Sequence, residues 1–506
     1  MPRLDRAASI ADLAALARRR LPGAIFDFID GAAFDGHTNA ANSADFAKLR
    51  FWPRVLRDVS HRSLATQLAG QAAAMPVAIA PTGVSGAVPG GGRGEAMAAR
   101  AAAAAGVPFT LGMLAQSSIE EIAEQVTPPW FQLCMLQDRD LVQALVARAK
   151  AAACPVLVLT ATWPYFSQQN RLFRNPHAAI PPRWAPGTLW HYGKRPLWAL
   201  KTLFGRPIKL RNFEPHMPNG ADLVQVVGQL DASTNWDDVA WLRDLWPGKL
   251  LVKGVMRPDE VAAARRVGVD AVSVSNHGGN QIDQACSTIS VLPEIVAAAA
   301  GQVEVLLDGG VRSGQDVLKA LALGASGCLI GRAHLYGLGA GGEAGVARAL
   351  AIIRTELDIT LGLVGLTGVG QAGPDILRPH PEFPITQTMK GPLQMAKKYK
   401  FVALVNAVDG KDDIFNDWHS GTHLPEVVRA AGFTRGERLK LVPGTNGENT
   451  AYQYLVVFEG EGDQPMEALQ KLGAAVEAGQ IQMSDSLGGP IWSSLYEEID
   501  GAVYEA

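Results

Sequence analysis

The chain is poor in cysteine: four in 506 residues (Cys134, Cys154, Cys286, Cys328), with no spacing of a metal cluster or a disulfide framework. Cys154 and Cys328 stand in apolar, strand-like runs and are read as small core residues. No metal site is expected. No apolar run approaches the roughly 20 residues of a membrane span. The segment 1–20 is amphipathic and charged rather than a secretory signal. A net charge of −3 favours neither nucleic acid nor an anionic membrane as partner. With 48% hydrophobic and 19% charged residues, the composition is that of a soluble globular enzyme, and with neither a signal nor a span in the sequence a cytoplasmic one is expected.

What is present is a regular alternation. Eight short apolar runs (77–80, 107–111, 130–133, 156–160, 250–253, 271–275, 303–307 and 327–330) alternate with helical stretches such as 95–105, 141–152, 258–267 and 313–323. Apolar strands separated by helices predict a parallel sheet covered on both faces, and eight such units predict a (β/α)8 TIM barrel. Ser9 is placed to cap a first helix running to Arg20. The connection 163–244 is too long for a simple crossover and is expected to form a lid or binding loop. A Pro-rich stretch, 374–381, reads as a wrapping tail or linker. Beyond it a βαββαβ order predicts a ferredoxin-like α+β domain, giving boundaries of 1–395 and 396–506.

The most informative stretch is Ser275-Asn276-His277-Gly278-Gly279-Asn280-Gln281-Ile282-Asp283, directly after the sixth strand. A histidine at the carboxyl end of a barrel strand is where a general base belongs. After the seventh strand comes Asp308-Gly309-Gly310-Val311-Arg312, and after the eighth Gly331-Arg332. Adjacent glycine turns, each with an arginine, suit a phosphate.

These segments, with Ile79–Gly83, Gly94–Ala96, Phe131–Leu133 and Lys253–Val255, resemble the FMN-dependent α-hydroxy-acid oxidases and dehydrogenases over about residues 21–377. The resemblance implies FMN as cofactor, a small-molecule substrate and an electron acceptor of unspecified class. By position it places Pro81, Thr82 and Gly83 at the flavin ring and Gln132 and Thr160 at its polar edge. Lys253 falls beside N1 and O2, and Ser275 contacts the ring. Asp308, Gly309, Gly310, Arg312, Gly331 and Arg332 fall at ribityl and phosphate. His277 becomes the base and Lys253 the cation that stabilises reduced flavin.

The substrate side departs from that family. Its two carboxylate-binding arginines correspond to Asn280 and Gln169, its two tyrosines to Phe26 and Cys134, and the aspartate that partners its histidine to Thr162. Loss of the charged clamp points to a substrate without a free carboxylate. An ordinary (S)-2-hydroxy acid is the alternative, and a flavin-binding scaffold without catalysis a third. Trp163, Tyr165 and Phe166 suit a larger or aromatic substrate. Ser275–Asn280 is similar to the pre-mycofactocin-synthase branch. Asp417–His419, His423–Glu426 and Leu495–Glu497 resemble the EthD-like dimeric α+β barrel group, implying a homo-oligomer and leaving open a separate step using His419 or His423.

Overall fold

The computed structural model describes residues 3–165, 167–175, 177, 186–216, 223–380, 398–442, 452–461 and 465–497. Phe166 and most of the 374–397 linker beyond His380 lie outside them. The chain forms two compact units, residues 1–389 and 390–506.

In the first unit the eight apolar runs form eight strands: β1 (Val77–Ile79), β2 (Thr110–Gly112), β3 (Trp130–Leu133), β4 (Val156–Thr160), β5 (Lys249–Val255), β6 (Ala271–Val274), β7 (Glu304–Asp308) and β8 (Gly327–Ile330). Each pairs in parallel with the next. β8 pairs back onto β1, and a parallel bridge from Ile79 to Phe109 closes the ring. Six of these strands are buried at every residue, because helices cover the outside and side chains fill the inside. Inside, Trp130 packs among Ala78, Ala80 and Ala271, with Val158, Leu251, Leu306 and Leu329 around it. One large ring is accommodated because its neighbours are small.

Three N-terminal helices precede the barrel. Ile10–Arg20 starts at a capping box: Ser9 Oγ accepts from the Asp12 N–H while the Asp12 carboxylate accepts from the Ser9 N–H. Gly23–Asp30 lends Phe28 and Ile29 to the cleft at the carboxyl ends of the strands. His37–Ala47 is tied to the loop after β6. Asn42 and Asn276 exchange two amide hydrogen bonds of 2.8 Å, and Asp283 accepts from the N–H groups of Asp35, Gly36 and Thr38. Leu377–Pro379 wraps back and pairs antiparallel with Leu49–Phe51.

The second unit has β9 (Lys398–Ala407), β10 (Arg435–Lys440), β11 (Tyr454–Glu461) and β12 (Leu487–Glu497). They form an antiparallel sheet in the order β10-β11-β9-β12, the ferredoxin-like arrangement. Helices 412–431 and 465–477 supply the two crossovers. The core is built from Phe415, Val405, Val427, Tyr454, Val456 and Phe458.

Candidate active site

The loop after β6 is held in a conformation few residues adopt. His277, Gly278 and Gly279 have φ of 57°, 64° and 76°. A side chain at Gly279 would meet the Asn39 backbone nitrogen at 2.6 Å, and one at Gly278 the Arg332 guanidinium at 2.8 Å. The motif's glycines therefore let this turn lie against helix 37–47 and Arg332. His277, which has a Cβ, is held in this left-handed region, a strain of the kind that collects at functional sites. The Ser275 hydroxyl accepts from the His277 N–H at 3.1 Å, and Asn276 Oδ1 accepts from the Gly279 N–H.

His277 lines a cleft with Pro81, Thr82 and Gly83 on one side and Gly309, Gly310 and Gly331 on another. Its Nδ1 is 2.9 Å from the Thr162 hydroxyl. The tautomer with hydrogen on Nδ1 donates to that oxygen and leaves the Nε2 lone pair as a base. Burial first, then the charge of Lys253, pushes its pKa down to about 3, so the ring is neutral at physiological pH. Trp163 lies over it at a ring separation of 6.0 Å. Gln281, oriented to satisfy both ends of its amide, accepts from Trp163 Nε1 and donates to the Tyr165 carbonyl, each at 3.1 Å.

Three cations and one carboxylate line the cleft: Lys253, Arg312, Arg332 and Asp308. Lys253 pairs with Asp308 at 2.5 Å, and Ser275 donates to the same carboxylate at 2.7 Å. Burial alone would raise the Asp308 pKa, but Lys253 and Ser275 hold it below the ordinary value. Arg332 donates to the Gly278 carbonyl at 2.7 Å, to the Gly31 carbonyl, and to Asn280 Oδ1 at 3.0 Å. The Asn280 side chain thus accepts from a cation instead of supplying one.

The residues fit FMN. Gly309 and Gly310 have φ of 109° and 82°, and a Cβ at Gly310 would strike the Asn42 carbonyl at 2.0 Å. Gly331 has open space before it, and buried Arg332 Nε has no partner. This is a cradle with a cation at its rim, suited to a phosphate. Glu95 accepts from the N–H groups of Gly86 and Gln116, fixing the loop that follows Gly83.

The cleft brings together Pro81, Thr82, Gly83, Lys253, His277, Asp308, Gly309, Gly310, Arg312, Gly331 and Arg332, together with Asn280 and Gln169. Ser275 stands behind the wall, bonded to Lys253, Asp308 and His277. Gln132 donates to Cys134 Sγ at 3.3 Å. Cys134 and Thr160 face a neighbouring cavity of about 320 Å3 that Trp163 borders from both sides. Phe26 does not line the cleft. The phase of its helix turns the ring onto Tyr336, 6.4 Å away, and under Arg171.

Two contributors were not anticipated. Ser167 lines the cleft, and its buried Oγ, like Gln169 Oε1, has no partner. His334 sits behind Thr82: its Nδ1 faces the Ile330 carbonyl at 3.0 Å and its Nε2 the Thr82 hydroxyl at 3.4 Å. A histidine four residues after the end of β8 is the sequence signal for it. The long β4–β5 connection, expected to form a lid or binding loop, supplies Trp163, Ser167, Gln169, Leu172 and Leu223 to the wall of the cleft.

The model of the FMN-dependent dehydrogenase family matches residues 17–379. L-lactate dehydrogenase of Caulobacter vibrioides is 42% identical over 376 residues, 73% of this chain and 97% of that protein. That of Pseudomonas syringae is 40% identical over 376 residues, 73% and 98%. The structure of a monotopic membrane protein, (S)-mandelate dehydrogenase, superposes with a TM-score of 0.69 at 37% identity, covering 73% of this chain and 99% of that one. An arginine-to-leucine variant of mandelate oxidase with 2-hydroxy-phenylacetamide gives 0.62 at 35%, covering 73% and 98%. The family match ends before the second unit begins. On the barrel, the cradle and these matches together, the chain belongs to the FMN-dependent α-hydroxy-acid oxidase and dehydrogenase family, and FMN is its cofactor.

Proposed function

We propose that the chain oxidises a 2-hydroxy acid at its carbinol carbon. The observation that carries this reading is the placement of His277. A neutral imidazole, held through Nδ1 by Thr162, turns Nε2 toward a cleft that also presents Lys253. FMN, when bound, supplies the two-electron oxidation. The protein's share is to take the hydroxyl proton on His277 Nε2, to hold a fixed cation at Lys253 where negative charge develops, and to exclude water beneath Trp163. The lactate and mandelate dehydrogenase relatives support the acid over other substrates.

A second reading is favoured by one observation. The unpartnered polar atoms of the wall, Ser167 Oγ and Gln169 Oε1, are neutral, as is Asn280. They suit an amide or other uncharged group better than a carboxylate, and the cavity beyond Trp163 leaves room for a larger one. This is the chemistry that the pre-mycofactocin-synthase resemblance implies. The mandelate oxidase variant solved with an amide supports its feasibility in this fold. Comparing kcat/KM for (S)-mandelate and for 2-hydroxy-phenylacetamide decides between them. The first reading expects the acid to be preferred; preference for the amide replaces it with the second.

For location, we infer a cytoplasmic enzyme resting on a membrane surface. Among the described residues no helix is long and apolar enough to cross a membrane. Helix Pro196–Leu203 and the residue after it expose Leu197, Leu200, Leu203 and Phe204, beside exposed Lys194, Lys201 and Lys209. Trp198, on the opposite face, anchors the helix by donating to the Val88 carbonyl at 3.1 Å. An apolar stripe flanked by cations suits an anionic lipid interface. Co-sedimentation with anionic vesicles, abolished by Leu200→Asp with Phe204→Asp, is expected; retention by the double variant sinks the idea. We also assign the second unit to the EthD-like group on its strand order and motifs, and expect a homo-oligomer; a monomeric mass by light scattering contradicts that.

A further inference from the structure

In the second unit the helix after β9 is not regular. It is α-helical over Asp412–Trp418, widens to a π turn over His419–His423 and resumes as α-helix over Leu424–Ala431. A π turn inserts a residue into the helical repeat and re-aims side chains, and such turns concentrate at functional sites. This one carries two histidines, with ring centroids 5.3 Å apart, and both line a cavity of about 180 Å3 between the helices and the sheet. The remaining wall is apolar except for Ser493, and includes Phe401, Phe458, Val456 and Val427.

His419 is 3% exposed, and its Nδ1 has no hydrogen-bond partner. A buried polar atom left without a partner forfeits a bond it would make to water, and such groups are few in folded proteins. His423 Nδ1 faces the Gln482 carbonyl at 3.4 Å, so its hydrogen lies there and Nε2 is an acceptor. Burial, then the charges of His423 and Arg438, push the His419 pKa down to about 4, and burial lowers that of His423. Both rings are neutral at pH 7, so each has one nitrogen able to accept.

Among the described residues no acidic side chain, lysine or arginine lines the cavity, so an ion entering it would lose its hydration without a charged partner in the wall. An apolar cavity of ~150 Å3 is known to hold benzene. The available space therefore fits a single substituted ring. Phe401 and Phe458, stacked with centroids 6.0 Å apart, offer it aromatic surface.

We propose that the second unit binds a small uncharged aromatic compound bearing a hydroxyl, its ring against Phe401 and Phe458 and its hydroxyl donated to the imidazole pair. The site belongs to the second unit and stands or falls apart from the oxidation assigned to the barrel.

The test is calorimetric titration of the full-length, FMN-loaded protein with 4-methylphenol and with toluene. Val476, 44% exposed at the rim, is changed to Trp to close the cavity without entering the core. The wild type is expected to bind one equivalent of 4-methylphenol, and V476W to bind none there. His419→Leu should weaken 4-methylphenol about tenfold, as for one neutral hydrogen bond, without weakening toluene. Saturable binding that V476W leaves intact, or no binding at all, overturns the proposal. So does equal treatment of the two compounds by H419L. Should H419L fail to fold, the imidazole 15N resonances of the wild type decide: 4-methylphenol must shift that of His419, and an unmoved resonance counts against the site.

Discussion

His277 sits under opposing demands. It must be neutral to accept a proton, and burial beside Lys253 ensures that by holding its pKa at about 3. The same depression makes it a weak base. A carboxylate against Nδ1 would favour the imidazolium and raise the pKa; here the Nδ1 contact is the Thr162 hydroxyl instead. Thr162→Asp should therefore strengthen the base and move the acid limb of the kcat/KM profile to higher pH, because the ring then protonates sooner as pH falls. The wild type should show no such limb from His277 between about pH 5 and 8. An unmoved limb in the variant means Thr162 does not govern the base. Thr162 was identifiable from its place after β4. The Arg332–Asn280 bond and the free atoms of Ser167 and Gln169 were not, since each depends on residues far apart in the chain that only folding brings to one wall.

At the scale of elements, the motif after β6 is a brace as well as a catalytic loop. Asp283, its last residue, gathers the N–H groups of Asp35, Gly36 and Thr38 and so caps helix 37–47, while Asn276 grips the same helix through Asn42. Asp283→Ala removes the acceptor of all three N–H groups and is expected to cost about 1–2 kcal/mol, measurable as a lower urea midpoint at constant m-value. A change below about 0.3 kcal/mol would mean water replaces the cap. The barrel strands were legible because parallel strands buried on both faces are written as unbroken apolar runs. Phe26 was not placed correctly by correspondence alone: helical phase decides which way a side chain on Gly23–Asp30 turns, and here it turns to Tyr336. The π turn was likewise invisible, since two histidines four apart read the same in an α-helix.

For the whole molecule, buried neutral histidines tie stability to pH. His334 is held at about 4 against an ordinary 6.5, chiefly by burial. Its contribution is complete above pH 6.5. As pH falls toward 4 the unfolded chain takes up a proton the folded barrel refuses, and stability declines by at most ~1.4 kcal/mol per pH unit. His334→Gln keeps a side-chain donor without a titrating group. The difference in unfolding free energy between pH 7 and pH 5 should shrink in the variant; an unchanged difference would assign the acid sensitivity elsewhere. The two-unit architecture was legible from the change of pattern after the eighth strand, where βα alternation gives way to an antiparallel order.

His277 is proposed as the base of a flavin oxidation. The direct measurement of that role is anaerobic mixing of the FMN-loaded protein with an (S)-2-hydroxy acid while following the visible band of oxidised flavin. The wild type should bleach. His277→Asn should bleach about 10²–10⁴-fold more slowly with its flavin still bound, and dithionite should reduce both. A wild type that responds to dithionite but to neither the acid nor its amide, or an H277N variant that bleaches at the wild-type rate, would contradict the account.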